Sequence, residues 1–170
     1  EIMPSLVGSE MCIRDRKIKI LVVGKIKEKW YAEALAEYVK RLDRFAAVEI
    51  FEADEGDVRD MGEASVNAAL KKEAEQILPR LQGYTVALDI DGRQMSSTEI
   101  ASLIHREKMN NSVFTFVVGG SHGLHQSVKD AARLRLSFGK ITLPHTLCRV
   151  VLAEQVYRAF MINANSVYHK

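Results

Sequence analysis

Three glycines close an apolar run in "FVVGGSHGLH": Gly119, Gly120 and Gly123, where a strand breaks into a turn and a helix begins. A turn of this kind lets a ligand approach the backbone and lends itself to nucleotide binding. Two standard nucleotide sites do not fit. A dinucleotide fold needs G-x-G-x-x-G and an acid about 20 residues on, whereas this spacing differs and Phe138, Gly139 and Lys140 stand where the acid should. A phosphate loop needs Gly-Lys-Ser/Thr, which is missing here. Taken alone, the turn has an equally good reading as a tight strand-to-helix connection. Cys12 and Cys148 have neither CxxC spacing nor ligand-spaced histidines, which excludes zinc ribbons and thioredoxin-type sites. Lys25, Lys27 and Lys29 beside Trp30 offer phosphates a basic loop, though a solvated loop explains them at least as well.

Positioning those residues falls to a chain of 170 residues, 47% hydrophobic and 27% charged, which is ordinary for a globular protein. A net charge of +2 is too small to argue for nucleic acid, so any such contact must come from a local basic cluster. No run approaches the length of a membrane span, and the expectation is a cytoplasmic protein. The first sixteen residues, "EIMPSLVGSEMCIRDR", lack the basic start and apolar core of a signal peptide. They resemble translated adapter sequence, and the expectation is an extraneous or disordered leader before one domain over 17–170.

From Lys17 onward, strand and helix patterns alternate. "KIKILVVG", "VEIFEA", "TVALDIDG" and "SVFTFVVGG" read as strands, the third ending in an Asp91-Gly92 turn. Helices are expected over about 30–42, 65–81, from Ser96 with its Glu99 capping box, and over about 146–163. A short helix carrying Val128 and Ala131 and a short strand from Leu134 complete the pattern. Such alternation predicts an α/β fold, a parallel sheet with helices on both faces. Ligands in that architecture bind beyond the carboxyl ends of strands, which singles out the turns at Gly92, Gly119 and Phe138.

The ending then narrows the reading. "SFGKITLPHTLCRVVLAEQVYRAFMINANSVYHK", together with "LDIDG" and "FVVGGSHGL" in the same order, strongly resembles the ribosomal RNA large-subunit methyltransferase H family. These are pseudouridine N3-methyltransferases of the SPOUT superfamily, and the resemblance spans Lys17 to Lys170. It implies a deep C-terminal trefoil knot holding S-adenosyl-L-methionine and a homodimer acting on 23S ribosomal RNA in the assembled ribosome. Carried onto this chain, it places the cofactor at Leu88, Gly119, Phe138, Gly139, Lys140, Ile141, Thr142 and Leu143. Gly139 stands where the family would have a serine, and "NANSVYHK" lacks the glycine and proline usual before the tail.

Methyl transfer is an in-line displacement that needs alignment and no metal. The N3 proton must leave, so the resemblance makes His145, His169 and, less favourably, Glu154 candidate acceptors. His145 has an equally good reading as a helix cap, and His169 a better one as an RNA contact. Arg149, Arg158, Tyr168, His169 and Lys170 are the candidate RNA-binding residues. The two arginines lie nine residues apart, about 900° of helical rotation, so they point to opposite sides. One is then free for RNA while the other serves Glu154, four residues from Arg158, or a dimer contact. Three alternatives stay open at this point: another SPOUT enzyme with a different RNA target, a non-catalytic ribosome-binding factor and, disfavoured by the glycine spacing, a nicotinamide-dependent oxidoreductase.

Overall fold

The computed structural model describes residues 15–170. All but the last two residues of the expected leader, Cys12 among them, lie outside the described residues. The chain runs β1 (Lys17–Val23), α1 (Lys29–Leu42), β2 (Ala47–Ala53), α2 (Glu63–Ile77), a 3-10 turn (Leu78–Arg80) and β3 (Tyr84–Gln94). It continues through α3 (Ser97–Glu107), β4 (Val113–Val118), α4 (Gln126–Ala131), β5 (Leu134–Ser137) and α5 (His145–Asn163). The second helix stops short of the expected Leu81 because Pro79 cannot continue an α-helical ladder and takes a 3-10 turn instead.

All five strands pair in parallel, in the order β2-β1-β4-β3-β5. Alternate side chains of β1 divide the core in two, as the two-residue period of a strand requires. Ile18, Ile20 and Val22 meet Leu42 of α1, Ile100 of α3 and Leu152 of α5. Leu21 and Val23 face the other way, towards Ile77 of α2 and Val128 of α4. The fold is therefore α/β with helices on both faces of the sheet. Ser96 opens α3 with the expected capping box, its hydroxyl accepting from the Glu99 N–H and the Glu99 carboxylate accepting from the Ser96 N–H.

The expected turn at Asp91-Gly92 takes a different form. β3 continues to Gln94, but Leu88 and Arg93 both register with Leu136 of β5, so Asp89–Gly92 loop out of the ladder as a long bulge. Glycine is required there for close packing: a Cβ on Gly92 would lie 2.7 Å from the Arg135 carbonyl. At the far end, α5 closes in a Schellman motif, with Ser166 N–H donating to the Met161 carbonyl and Asn165 N–H to that of Ile162, both at 3.0 Å. Asn165 adopts φ 55°, the left-handed conformation that glycine would ordinarily supply. The chain thus turns into its tail without the missing glycine.

Candidate active site

Beyond the carboxyl ends of the three neighbouring strands β4, β3 and β5 lies a cavity of about 420 Å³. The bulge after Leu88, the turn from Gly119 and the loop after Leu136 make its walls. The three turns singled out by the fold rule therefore converge, as open α/β sheets position their ligands. Of the expected cofactor residues, Leu88, Gly119, Phe138, Gly139, Ile141, Thr142 and Leu143 line the cavity. Lys140 is exposed and does not line it.

Local chemistry explains how these walls hold their shape. Gly119 lies against the turn itself: a Cβ there would fall 2.3 Å from the Gly123 carbonyl oxygen, so any side chain would force the Gly119–Gly123 turn open. Gly123 serves conformation instead of space, with φ +79° and open surroundings. Buried Ser137, which the sequence did not single out, ties two walls together. Its hydroxyl donates to the Ile90 carbonyl of the bulge (2.9 Å) and accepts from the Gly139 N–H (3.1 Å). Gly139 takes φ +115°, which L side chains rarely adopt, so the loop exploits the departure from serine.

His145, the first residue of α5, lines the cavity. The cap of that helix is Pro144, and no side chain caps it, so the capping role considered for His145 is not the one it takes. Cys148, one turn on, also lines the cavity, and burial pushes its thiol up to about 11. At neutral pH it is a neutral, unreactive thiol.

The other candidates gather elsewhere. Glu154 lies nine residues past His145, about 13.5 Å along the helix axis. Its carboxylate binds Arg158 Nη2 at 2.6 Å and accepts from Tyr168 Oη at 3.2 Å and Gln155 Nε2 at 2.7 Å. The Arg158 guanidinium covers the Tyr168 ring at 4.7 Å, and its Nη1 lies 3.3 Å from His169 Nδ1. Tyr168 packs edge-on against Tyr157, 5.0 Å between centroids. Burial and the Glu154 charge raise the Tyr168 phenol, while the hydrogen bond to Glu154 raises the Arg158 guanidinium; both groups stay protonated. Neither Glu154 nor any tail residue lines the cavity of this chain.

Arg149 requires a correction. Placed among the RNA contacts by sequence, it is fully buried, donating through Nη2 to the Val23 carbonyl at the end of β1. Nε and Nη1 have no partner among the described residues. Burial pushes its guanidinium below the usual arginine value, partly offset by Glu52 and Glu55. The helical arithmetic was right that the two arginines face apart, but α5 is apolar around much of its circumference, so the pattern did not reveal which one faces the core.

Asp89 and Lys129 also line the cavity and were missed. The signal for Asp89 was a charge interrupting the buried run "TVAL"; Lys129, on a short helix, gave none.

Residues 16–169 match the family described as "Predicted SPOUT methyltransferase". The chain is 47% identical over 158 residues to the "Ribosomal RNA large subunit methyltransferase H" of Streptococcus uberis, covering 91% of this chain and 99% of that protein. It is 44% identical to the protein of the same name from Leuconostoc mesenteroides, over 90% and 99%. Among solved structures, a probable methylase family protein from Haemophilus influenzae superposes with TM-score 0.53 at 10% identity, over 93% of this chain and 71% of that one. A probable methyltransferase from Bordetella pertussis gives TM-score 0.53 at 14% identity, over 85% and 95%. These two show likeness of fold. With the family match spanning nearly every described residue and full-length relatives above 40% identity, this chain belongs to the SPOUT methyltransferases.

Proposed function

We propose that this protein transfers a methyl group from S-adenosyl-L-methionine to N3 of a pseudouridine in 23S ribosomal RNA, within the large subunit of the assembled ribosome. It acts as a cytoplasmic homodimer, residues 17–170 forming one domain and the chain end threading a trefoil knot. The observation that carries this reading is the convergence of Leu88, Gly119 and the Phe138–Leu143 loop on one cavity, in a chain so similar to named ribosomal RNA methyltransferases. The cavity volume falls in the range of about 300–1,000 Å³ usual for cofactor sites, and peptide groups at the ends of three strands suit an adenine edge.

When bound, the cofactor supplies a methyl group on a sulfonium, open to in-line attack. Leu88, Gly119, Phe138, Gly139, Ile141, Thr142 and Leu143 hold it, with Lys140 at the outer edge, and fix the line of approach. His145, at the cavity wall, accepts the N3 proton through its imidazole as the acceptor nitrogen engages. Glu154 is already engaged by three donors, which favours a structural role over that of a base. Arg158, Tyr168, His169 and Lys170 meet RNA. Arg158 lies 13 residues, about 19.5 Å, along α5 from His145 and holds the tail beside it, so a second copy of the chain brings its tail to this cavity. Modest net charge suits recognition by shape on a composite ribosomal surface.

The test is methylation of purified, undermethylated ribosomes with labelled cofactor, followed by mapping of the modified nucleoside. Label in a single pseudouridine of 23S RNA is expected. Absence of label, or label elsewhere, overturns the assignment.

A further inference from the structure

The cavity has one polar corner. Asp89, whose side chain is 4% exposed, accepts Lys129 Nζ on Oδ1 at 3.3 Å and Arg135 Nη1 on Oδ2 at 3.5 Å. The Asp91 N–H adds a bond to Oδ1 at 3.4 Å. Lys129 lines the cavity beside Asp89; Arg135 does not, and braces the carboxylate from outside. A carboxylate in so dry a wall is costly unless well paired, and replacing such pairs with apolar groups is often neutral or stabilising. Holding charge here therefore favours a task for it.

We infer that Asp89 and Lys129 form the subsite for the amino-acid end of the methyl donor, Lys129 taking its carboxylate and Asp89 its α-ammonium group. This rests on the cofactor reading above. The α-carboxylate and α-ammonium groups of an amino acid are separated by one carbon, and a matching cation and anion stand 3.3 Å apart at this wall. Lys129 has one acceptor among the described residues and two further N–H groups to offer. When Lys129 turns to the ligand, Arg135 still pairs with the Asp89 carboxylate. The corner also lies on the α4 side of the sheet, whereas His145 enters from α5 on the opposite face. The amino-acid end is thereby held away from the proton acceptor, leaving the adenosine to Leu88, Phe138 and the surrounding peptide groups.

The test is calorimetric titration of the full chain with S-adenosylmethionine, S-adenosylhomocysteine and 5′-methylthioadenosine, the last lacking the amino-acid group. Lys129→Met and the near-isosteric Asp89→Asn should each weaken the two amino-acid-bearing ligands at least tenfold and change methylthioadenosine less than twofold. Lys129→Arg, which keeps the cation, should retain most of the affinity. Retained methylthioadenosine binding shows that a variant is folded. Equal weakening of all three ligands by folded variants, or no weakening, overturns the subsite. If the wild-type protein binds none of the three, the cofactor reading itself fails, and the subsite with it.

Discussion

The two halves of α5 are built from similar residues for different ends. Its first turn presents His145 and Cys148 to a cavity. Three turns on, Glu154, Arg158, Tyr168 and His169 close on one another, so that nearly every polar atom is already engaged. The head leaves His145 and Cys148 open to the cavity, whereas the later cluster spends its polar atoms on holding the chain end in place and leaves exposed His169 and Lys170 for docking. On this view the head of the helix belongs to the chemistry and the tail to docking, and each can be broken without the other.

The largest effect should come from the head. Gly119→Val pushes a side chain into the Gly123 backbone, a strain on the order of 3 kcal/mol, the upper end of the usual overpacking cost, that the turn relieves only by opening. Calorimetry should find cofactor binding abolished, while the tail cluster keeps its protection from proteolysis; retained binding would reject this wall. Next comes His145→Ala. Removal of the proton acceptor should lower turnover on ribosomes by about 10²-fold or more and leave the cofactor dissociation constant unchanged. Equal turnover would remove His145 from the chemistry.

The tail should respond in the opposite sense. Glu154→Ala strands Arg158 and Tyr168, half-buried groups that lose a shared acceptor at a cost of about 1–3 kcal/mol. Hydrogen exchange over residues 164–170 should quicken and KM for ribosomes should rise, with cofactor affinity intact. A loss of cofactor binding in this variant would merge the two halves and defeat the comparison. His169→Ala is milder: its contact to Arg158 at 3.3 Å is exposed, so the fold should be untouched and ribosome use impaired severalfold. Unchanged turnover would take the tail out of the site.

These contrasts mark where sequence stopped being informative. Strands such as "KIKILVV" announce themselves because a doubly covered parallel strand must be apolar nearly throughout, and the capping box of α3 is a local chemical signature. The meeting of the turns near Gly92, Gly119 and Phe138 was accessible too, since open α/β sheets bind ligands beyond the carboxyl ends of their strands, whereas Leu88 and Leu143 followed from the family resemblance alone. Arg149 was not. Whether a charge on an apolar helix points inward depends on what packs against it, and nothing within α5 encodes the Val23 carbonyl 126 residues away. The bulge at Asp89–Gly92 eluded the pattern for a related reason: an Asp-Gly pair favours leaving a strand, yet the β5 ladder resumes at Arg93.

The smallest effect, and the finest probe of the head, concerns Cys148. Its thiol faces the cavity but burial raises it to about 11, so the thiolate fraction at pH 7 is roughly 300-fold below that of a free cysteine near 8.5. Alkylation by iodoacetamide should therefore be slow at neutral pH and keep accelerating as pH rises towards 11, beyond the point where a free thiol levels off. Linkage gives the same sign for stability. The native state holds this proton more tightly than the unfolded chain, so the stabilisation is intact below the ordinary thiol range and is lost as pH climbs through about 11. Added S-adenosylhomocysteine should slow alkylation further, because the thiol shares a cavity with the expected cofactor loop, and Cys148→Ser should leave turnover close to wild type. Rapid labelling at pH 7, unaffected by ligand, would mean that the first turn of α5 opens to solvent, and the contrast between a reserved head and a committed tail would not survive it.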